Sequence, residues 1–449
     1  MLEELLIDEP VILEELEEKI HIPESEKPRV VIIGGGFAGI QMVKQLRKKS
    51  FQIVLLDRHN YHTFQPLLYQ VATAGLEPDS IAEPLRKALD SNRDFYFRMA
   101  SLERVDPEQK VVHTNIGYLE YDYLVIACGS VTNYFGNKEI EKNTFPLKQI
   151  PQALDLRSHI LQNFEKAVLM IDSEEQKEYM NIVIVGGGPT GVEVAGALGE
   201  LKKNVLPKDY PELDLSKMEI ILLEGRDHLL AGMDESLGEK AIKYLKKFGV
   251  EIILGKHLKG YDGNEAVLSD ESIIRTQTVI WAAGVNGNVP NGFPESSVDY
   301  SRLLVDRYSK VVGCEDVFAI GDIAFMKSEE APKGHPMLAQ VAMQQGRLLA
   351  SNLDRIQKDK DLVQFSYKDK GSMATIGRNK AVVQLPRLKF GGFAAWVVWM
   401  FVHLFSIIGF RNKLVVFSNW VWNYFTYDRG IRLIIRPFIK RKAAKNKSI

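Results

Sequence analysis

Cysteine is almost missing from this chain of 449 residues: Cys128 and Cys314 are the only two. Two thiols make neither a disulfide framework nor a four-cysteine zinc site, and so low a count suits a reducing compartment. Neither sign of charge is in surplus. Lys and Arg number 57, Asp and Glu 58, for a net charge of −1. Overall charge therefore offers no attraction for nucleic acid, and none is expected as a partner. The N-terminus lacks the basic start and apolar run of a secretory signal. Wholesale disorder is excluded by a composition that is 45% apolar and 26% charged. The length allows about three domains of roughly 150 residues.

The two ends differ. Ten of the first 26 residues are acidic, with Leu5, Leu6, Ile7, Val11, Ile12 and Leu13 between them. Two readings stand: a short helix that docks on the body, or a solvated tail. Near the other end, residues 393–410 read FAAWVVWMFVHLFSIIGF. One helix of that length would approach the ~30 Å bilayer core. Trp396, Trp399, His403 and Ser406 fall on one face, however, with residue types typical of a membrane interface. After a turn expected at Arg411-Asn412-Lys413, Phe417, Trp420, Val421, Tyr424 and Tyr427 share a helical face, and Asn419, Asn423 and Thr426 the opposite one. Arg429, Arg432, Arg436, Lys440, Arg441, Lys442, Lys445 and Lys447 follow, with no acid after Asp428. Aromatics before a basic run suit an anionic lipid surface. A helical pair lying in one leaflet is preferred to a spanning helix. A homodimer interface would explain the apolar face but not the cationic tail.

Glycine, by contrast, is plentiful and ordered. The apolar run 29–33 leads into Gly34-Gly35-Gly36-Phe37-Ala38-Gly39, then a helical stretch from Ile40 to Lys49. A second apolar run from Gln52 ends at Asp57, 18 residues past Gly39. In such a unit Gly34 makes the tight turn, Gly36 admits a pyrophosphate and Gly39 lets helix and strand pack closely. Asp57 accepts from an adenosine ribose. The pattern recurs at Gly186-Gly187-Gly188-Pro189-Thr190-Gly191, where the next strand ends on Glu224. Glu224 lies 33 residues past Gly191, and a longer helix plus a loop accounts for the excess. Its charge favours NADH over NADPH, while Arg226 argues the other way. Three more strand ends close on glycine: Cys128-Gly129-Ser130, Ala283-Gly284-Val285 and Gly321-Asp322.

These five markers, in this order, resemble the two-dinucleotide-fold flavoprotein reductases over about residues 28–350. The resemblance implies an α/β chain of two Rossmann-type domains, the second inserted in the first, with a C-terminal membrane-associating helical segment. It implies FAD on the first fold, at Gly34, Gly36, Phe37, Ala38, Gly39, Asp57, Gly129, Gly321 and Asp322. NADH is implied on the second, at Gly186, Gly188, Pro189, Thr190, Gly191, Glu224 and Gly284. The expected boundaries are an acidic extension over 1–27, an FAD-binding domain over 28–148 and 300–352, an NADH-binding domain over 149–299, and an anchoring region over 353–449.

Two further stretches narrow the resemblance. Residues 60–74 read NYHTFQPLLYQVATA and residues 338–346 read LAQVAMQQG. With the C-terminal segment, they look like the type II NADH dehydrogenases, single-polypeptide NADH:quinone oxidoreductases that do not pump protons. In that family Gln340 and Gln344 would lie at the quinone pocket, and Glu193 near the flavin, serving electron and proton transfer. The family sits on the membrane through its C-terminal helices, which places this chain on the cytoplasmic face of the inner membrane. Plainer readings stand beside these. Glu193 in a first helical turn would suit the helix dipole alone. Gln340 and Gln344 would look the same facing solvent. Tyr61, His62 and Phe64 would serve as packing residues, His403 as a core or interfacial residue, and Lys380 as a surface lysine. Sulfide:quinone oxidation is the competing chemistry, and it needs reactive cysteines. A redox sensor without turnover is the competing class.

Overall fold

The computed structural model describes residues 18–89, 94–329, 331–426, 431–434 and 437–438. It divides into two compact units. The first takes 1–60, 91–129 and 288–365; the second takes 61–90, 130–287 and 366–449. The residues around both ends that carry Leu5 to Leu13, Tyr427, Arg429, Arg436 and the lysines from Lys440 onward lie outside the described residues.

Among the described residues, five parallel strands build the main sheet of the first unit. Their order is Val317–Ala319, Tyr123–Ile126, Arg29–Ile33, Gln52–Asp57 and Phe95–Met99. Parallel strands covered on both faces read as unbroken apolar runs, and here Val30, Val31 and Ile32 have no exposed surface. The helix after the first glycine loop runs Phe37–Leu46, starting three residues before the sequence expectation because the loop itself is the helix entry. It packs on the helix Ala339–Gln357. A side chain at Gly346 would bring its Cβ within 2.6 Å of the Ala38 carbonyl oxygen, so glycine there permits the contact. The described end of the N-terminal extension, from residue 18, docks as extended chain; the residues on which the helix reading rested lie outside the described ones. Lys19 bridges Tyr118 in parallel, and Ile20 and Ile22 are buried.

The second unit repeats the plan. Phe145–Pro146, Thr278–Trp281, Ile182–Val185, Ile220–Glu224 and Val250–Leu254 form a parallel sheet in that order. From Ile182–Val185 the chain steps outward to Ile220–Glu224 and Val250–Leu254, then returns on the opposite side as Thr278–Trp281. Strand order therefore reverses beside Ile182–Val185, where such sheets open a crevice for a ligand. The long spacing to Glu224 is filled as expected. A helix Pro189–Asn204 is followed by the short helix Leu206–Asp209 and a loop.

The C-terminal apolar run is two helices, Phe393–Ser406 and Phe410–Thr426. The turn falls at 407–409, earlier than Arg411-Asn412-Lys413, because Gly409 adopts φ +85°. Fourteen residues give roughly 21 Å of helix, short of a bilayer core. No helix among the described residues is long and apolar enough to cross a membrane. The asparagine face of the second helix turns inward. Asn412 donates to the Ala82 carbonyl and to Glu83, both at 2.9 Å, and Asn419 to Glu77 at 2.7 Å. Trp420 Nε1 donates to Gln70 Oε1 at 2.9 Å. The expected apolar face is split: Trp420 and Tyr424 turn inward, Phe417 and Val421 stay exposed, and Phe410 and Phe425 lie outside as well. On the first helix the face expected at the lipid interface is turned inward at Trp396, Trp399 and His403, while Ser406 stays exposed. Trp399 is buried and His403 is stacked on it, while Phe401, Val402 and Phe405 are exposed. The reason is polarity. The His403 imidazole finds the Trp399 carbonyl at 2.8 Å inside, and the Trp399 indole lies near the Glu193 carboxyl without a direct hydrogen bond, whereas phenylalanine needs no partner.

Candidate functional site

The two glycine loops share one construction. At the first, a Cβ on Gly34 would lie 2.3 Å from the Ala127 carbonyl oxygen, and one on Gly39 only 1.9 Å from that of Gly34. At the second, Gly186 would meet the Ala282 carbonyl oxygen at 2.5 Å and Gly191 that of Gly186 at 1.8 Å. These four glycines are fixed by backbone. Gly36 and Gly188 differ: a Cβ on either would meet no protein atom within 4 Å. Each is the residue capping a helix, with no side-chain acceptor at the cap and no acid in the first turn. A helix start left in that state suits an anion.

A carboxylate braces each loop. Asp57 accepts from Gly35 N at 2.6 Å and from His59 N at 2.7 Å. Glu224 accepts from Gly187 N at 2.5 Å and from Arg226 N at 2.9 Å. The equivalence is residue for residue, although the sequence spacings differ. Of the three later glycines, Gly129 adopts φ +70° with open space at its Cβ position, Gly284 φ +155° and Gly321 φ +79°. Gly321 N donates to Gln345 Oε1 at 2.7 Å, so a glutamine that sequence reasoning passed over holds the turn carrying Asp322. Its neighbours Gln340 and Gln344 are half-buried on the same helix, not fully solvent-facing. The Gln340 side-chain oxygen is buried without a hydrogen-bond partner.

Glu193 belongs to the second unit. It does not lie in the first turn of its helix, where no acid is found, but in the second turn and 8% exposed. Burial pushes its carboxyl up to about 8, while the Thr375 amide, 3.4 Å away, and the Trp399 indole pull the other way. The helix-dipole reading of this residue therefore fails: desolvation outweighs any stabilisation of charge. Gly196 explains how Thr375 comes so near. A Cβ there would stand 3.0 Å from Gly377 N, so the helix packs directly on the turn at 376–377.

A cavity of about 110 Å³ is walled by Tyr69, Glu200, Thr375, Arg378, Trp399, Trp420 and Tyr424 among others; Glu193 is not in its lining but sits behind Thr375 and Trp399, which are. The C-terminal helix pair thus closes one side of the cavity. Arg378 donates to the carbonyls of Tyr424 at 2.7 Å and Asn423 at 2.5 Å, capping the outer helix. His403 accompanies Trp399 at 4.2 Å between ring centroids, and burial holds it down to about 4, so it is neutral at physiological pH. Phe64 meets it edge-on at 6.1 Å, and His62 is buried, which makes both core residues. Lys380 lies over the Phe248 ring at 4.6 Å, and burial lowers its basicity.

Residues 28–346 match the family model of the pyridine nucleotide-disulphide oxidoreductases, and residues 370–427 match the NDH2 C-terminal domain. The type II NADH:quinone oxidoreductase Ndh of Mycobacterium tuberculosis is 34% identical over 91% of this chain and 91% of its own length. The chain belongs to the type II NADH:quinone oxidoreductases. The internal alternative NAD(P)H-ubiquinone oxidoreductase A1 of Arabidopsis thaliana mitochondria is 31% identical over 92% of this chain and 86% of its own. The solved structure of NDH2 from Plasmodium falciparum in complex with NADH shares the fold. Its TM-score is 0.84 at 21% identity, covering 91% of this chain and 100% of the other. The NDH2 C-terminal match covers the strands Ser372–Thr375, Ala381–Leu385 and Leu388–Gly392 and both outer helices.

A type II enzyme needs no thiol chemistry, and both cysteines here are poor nucleophiles. Burial pushes the Cys128 thiol up to about 12, and burial also raises that of Cys314. Thr375 and Trp399 beside Glu193 were not legible beforehand, since no motif marks them. The raised pKa of Glu193 has a thermodynamic consequence. Its folded pKa of about 8 exceeds the unfolded value of 4.5, so the stability it contributes is full below 4.5 and is lost as pH rises through about 8. Urea unfolding between pH 5 and pH 9 should show the wild type losing stability relative to Glu193→Gln as pH rises. Parallel curves for the two proteins would contradict the buried, protonated carboxyl.

Proposed function

We propose that this chain oxidises NADH on its second fold, carries FAD on its first, and reduces a membrane quinone beside the cavity that Thr375 and Trp399, the neighbours of Glu193, help to wall. The observation that carries the reading is the pair of carboxylate-braced glycine loops in one chain, each with open space over the capping glycine. FAD, when bound, would supply the two-electron redox chemistry that links NADH oxidation to quinone reduction. Gly36, Phe37, Ala38 and Gly39 would receive the FAD pyrophosphate at the helix start, and Asp57 the adenosine ribose. Asp322, on the turn held by Gln345, would contact FAD. Gly188, Pro189, Thr190 and Gly191 would receive the pyrophosphate of NADH. Glu224 would accept from its ribose and repel a 2′-phosphate.

Quinone reduction consumes protons as well as electrons. Glu193, protonated at neutral pH, holds one behind Thr375 and Trp399 of the cavity wall. Gln340 offers an unsatisfied amide oxygen in the first unit, and Gln344 shares its helical face. No positive charge on His403 is available to the reaction. Polysulfide chemistry finds no thiolate at neutral pH.

The outer helix pair sets the location. Its asparagines face the protein and its phenylalanines face outward, the reverse of a helix made for water. We infer a peripheral seat on the cytoplasmic face of the inner membrane, with the quinone entering from lipid. A second copy of the chain is the competing occupant of that face.

Steady-state assays separate these readings. The flavin-loaded protein should oxidise NADH with a short-chain quinone and show no turnover with sulfide. Sulfide turnover would overturn the assignment, and flavin binding without either activity would favour a sensor. The double variant Phe405→Glu, Phe425→Glu should lose co-sedimentation with anionic liposomes while keeping turnover with a water-soluble quinone. Undiminished co-sedimentation would contradict the anchor, and a drop from dimer to monomer on a sizing column would assign the face to a second copy.

A further inference from the structure

Phe135 is out of place for its residue type. It is 68% exposed and adopts φ +52°, a left-handed conformation that L side chains rarely take. It is nevertheless rigidly held. Its N–H donates to Asn133 Oδ1 at 2.8 Å, and Asn133 N donates to the Gly284 carbonyl at 3.0 Å. Beneath it lies Trp281, buried, stacked on Tyr134 at 5.9 Å and donating Nε1 to the Asn133 carbonyl at 2.8 Å. Phe135 meets Trp281 edge-on at 6.3 Å. Strain of this kind persists where the surroundings impose it, and it concentrates at functional sites.

The topology says what stands over the ring. The crevice of the second sheet opens where Ile182–Val185 and Thr278–Trp281 end. Gly186 and Ala283 touch there: a Cβ on Gly186 would be 2.8 Å from Ala283 Cα. The next residue, Gly284, has the Phe135 ring as its neighbour, with Phe135 Cζ 3.6 Å from the position of a Cβ. A dinucleotide with its adenosine at Glu224 and its pyrophosphate at Gly188 must lay its other half across Ile182–Val185, toward Thr278–Trp281. That path leads to Gly284 and Phe135. We propose that Phe135 packs on the nicotinamide-ribose half of the bound nucleotide and fixes its position. This rests on the second fold's holding NADH. Glycine at 284 leaves room for the contact, because any side chain there would occupy the space beside the ring.

The test compares a ligand that has the nicotinamide half with one that lacks it. NAD+ and ADP-ribose are titrated calorimetrically into the flavin-loaded wild type and its Phe135→Ala, Phe135→Leu and Phe135→Tyr variants. KM for NADH is read in parallel. Phe135→Ala should weaken NAD+ and raise KM for NADH about tenfold, the scale of one aromatic stacking contact. ADP-ribose affinity should stay within about twofold, and Phe135→Tyr should restore NAD+ binding. Unchanged NAD+ affinity in the alanine variant would overturn the proposal. So would an equal loss for ADP-ribose, which would make Phe135 a packing residue of the loop. If the alanine variant fails to fold, Phe135→Leu carries the same comparison. ADP-ribose that fails to bind the wild type, or binds Glu224→Ala undiminished, would overturn the reading of the second fold, and this proposal with it.

Discussion

Backbone packed against backbone at the two glycine loops is the constraint on which the rest depends. At Gly39 and Gly191 a single methyl group would lie less than 2 Å from a carbonyl oxygen. No side-chain adjustment relieves such a clash, because both partners are main chain. The close approach aims each helix start at the end of its own strand, and a carboxylate two strands' width into the sequence ties the loop amide down. A rigid anion-receiving edge follows in each unit. The capping glycines, which meet no protein atom, are the part of the motif left for a ligand.

This constraint is why so much of the fold was readable. Glycines at Gly34, Gly39, Gly186 and Gly191 report backbone geometry directly, and the acids Asp57 and Glu224 report the neighbouring strand. Continuous apolar runs then mark parallel strands buried on both faces. The boundaries of the compact units were less legible. Residues 61–90 group with the second unit, where Gln70, Glu77 and Glu83 bond the outer helix. Those contacts join positions more than 300 residues apart, and no local pattern announces them.

The C-terminal helices show a second limit of pattern reading. Periodicity separates two faces of a helix but does not say which one points inward. Trp399 and His403 looked interfacial and are core. Asn419 and Asn423, read as lying opposite the apolar face, dock inward together with Asn412, which was read as part of a turn. The buried polar atoms of the asparagines require partners, and the segment around Glu83 supplies them. Exposed phenylalanines then complete an outer surface that water does not favour. The same packing brings Trp399 to Glu193, so the exposed phenylalanine surface and the environment of that carboxyl come from one arrangement.

Glu193 joins the structural and chemical sides of the account. Its carboxyl is kept neutral by desolvation, next to two residues that wall an aromatic-lined cavity, and it belongs to the helix whose start faces the second glycine loop. The most direct measurement follows the two half-reactions of Glu193→Gln by stopped flow across pH 6 to 10. Reduction of the enzyme by NADH should match the wild type, while reoxidation by quinone should be slower and lose a decline centred near 8. Impaired reduction by NADH, or reoxidation with an unchanged rate and pH profile, would contradict the account.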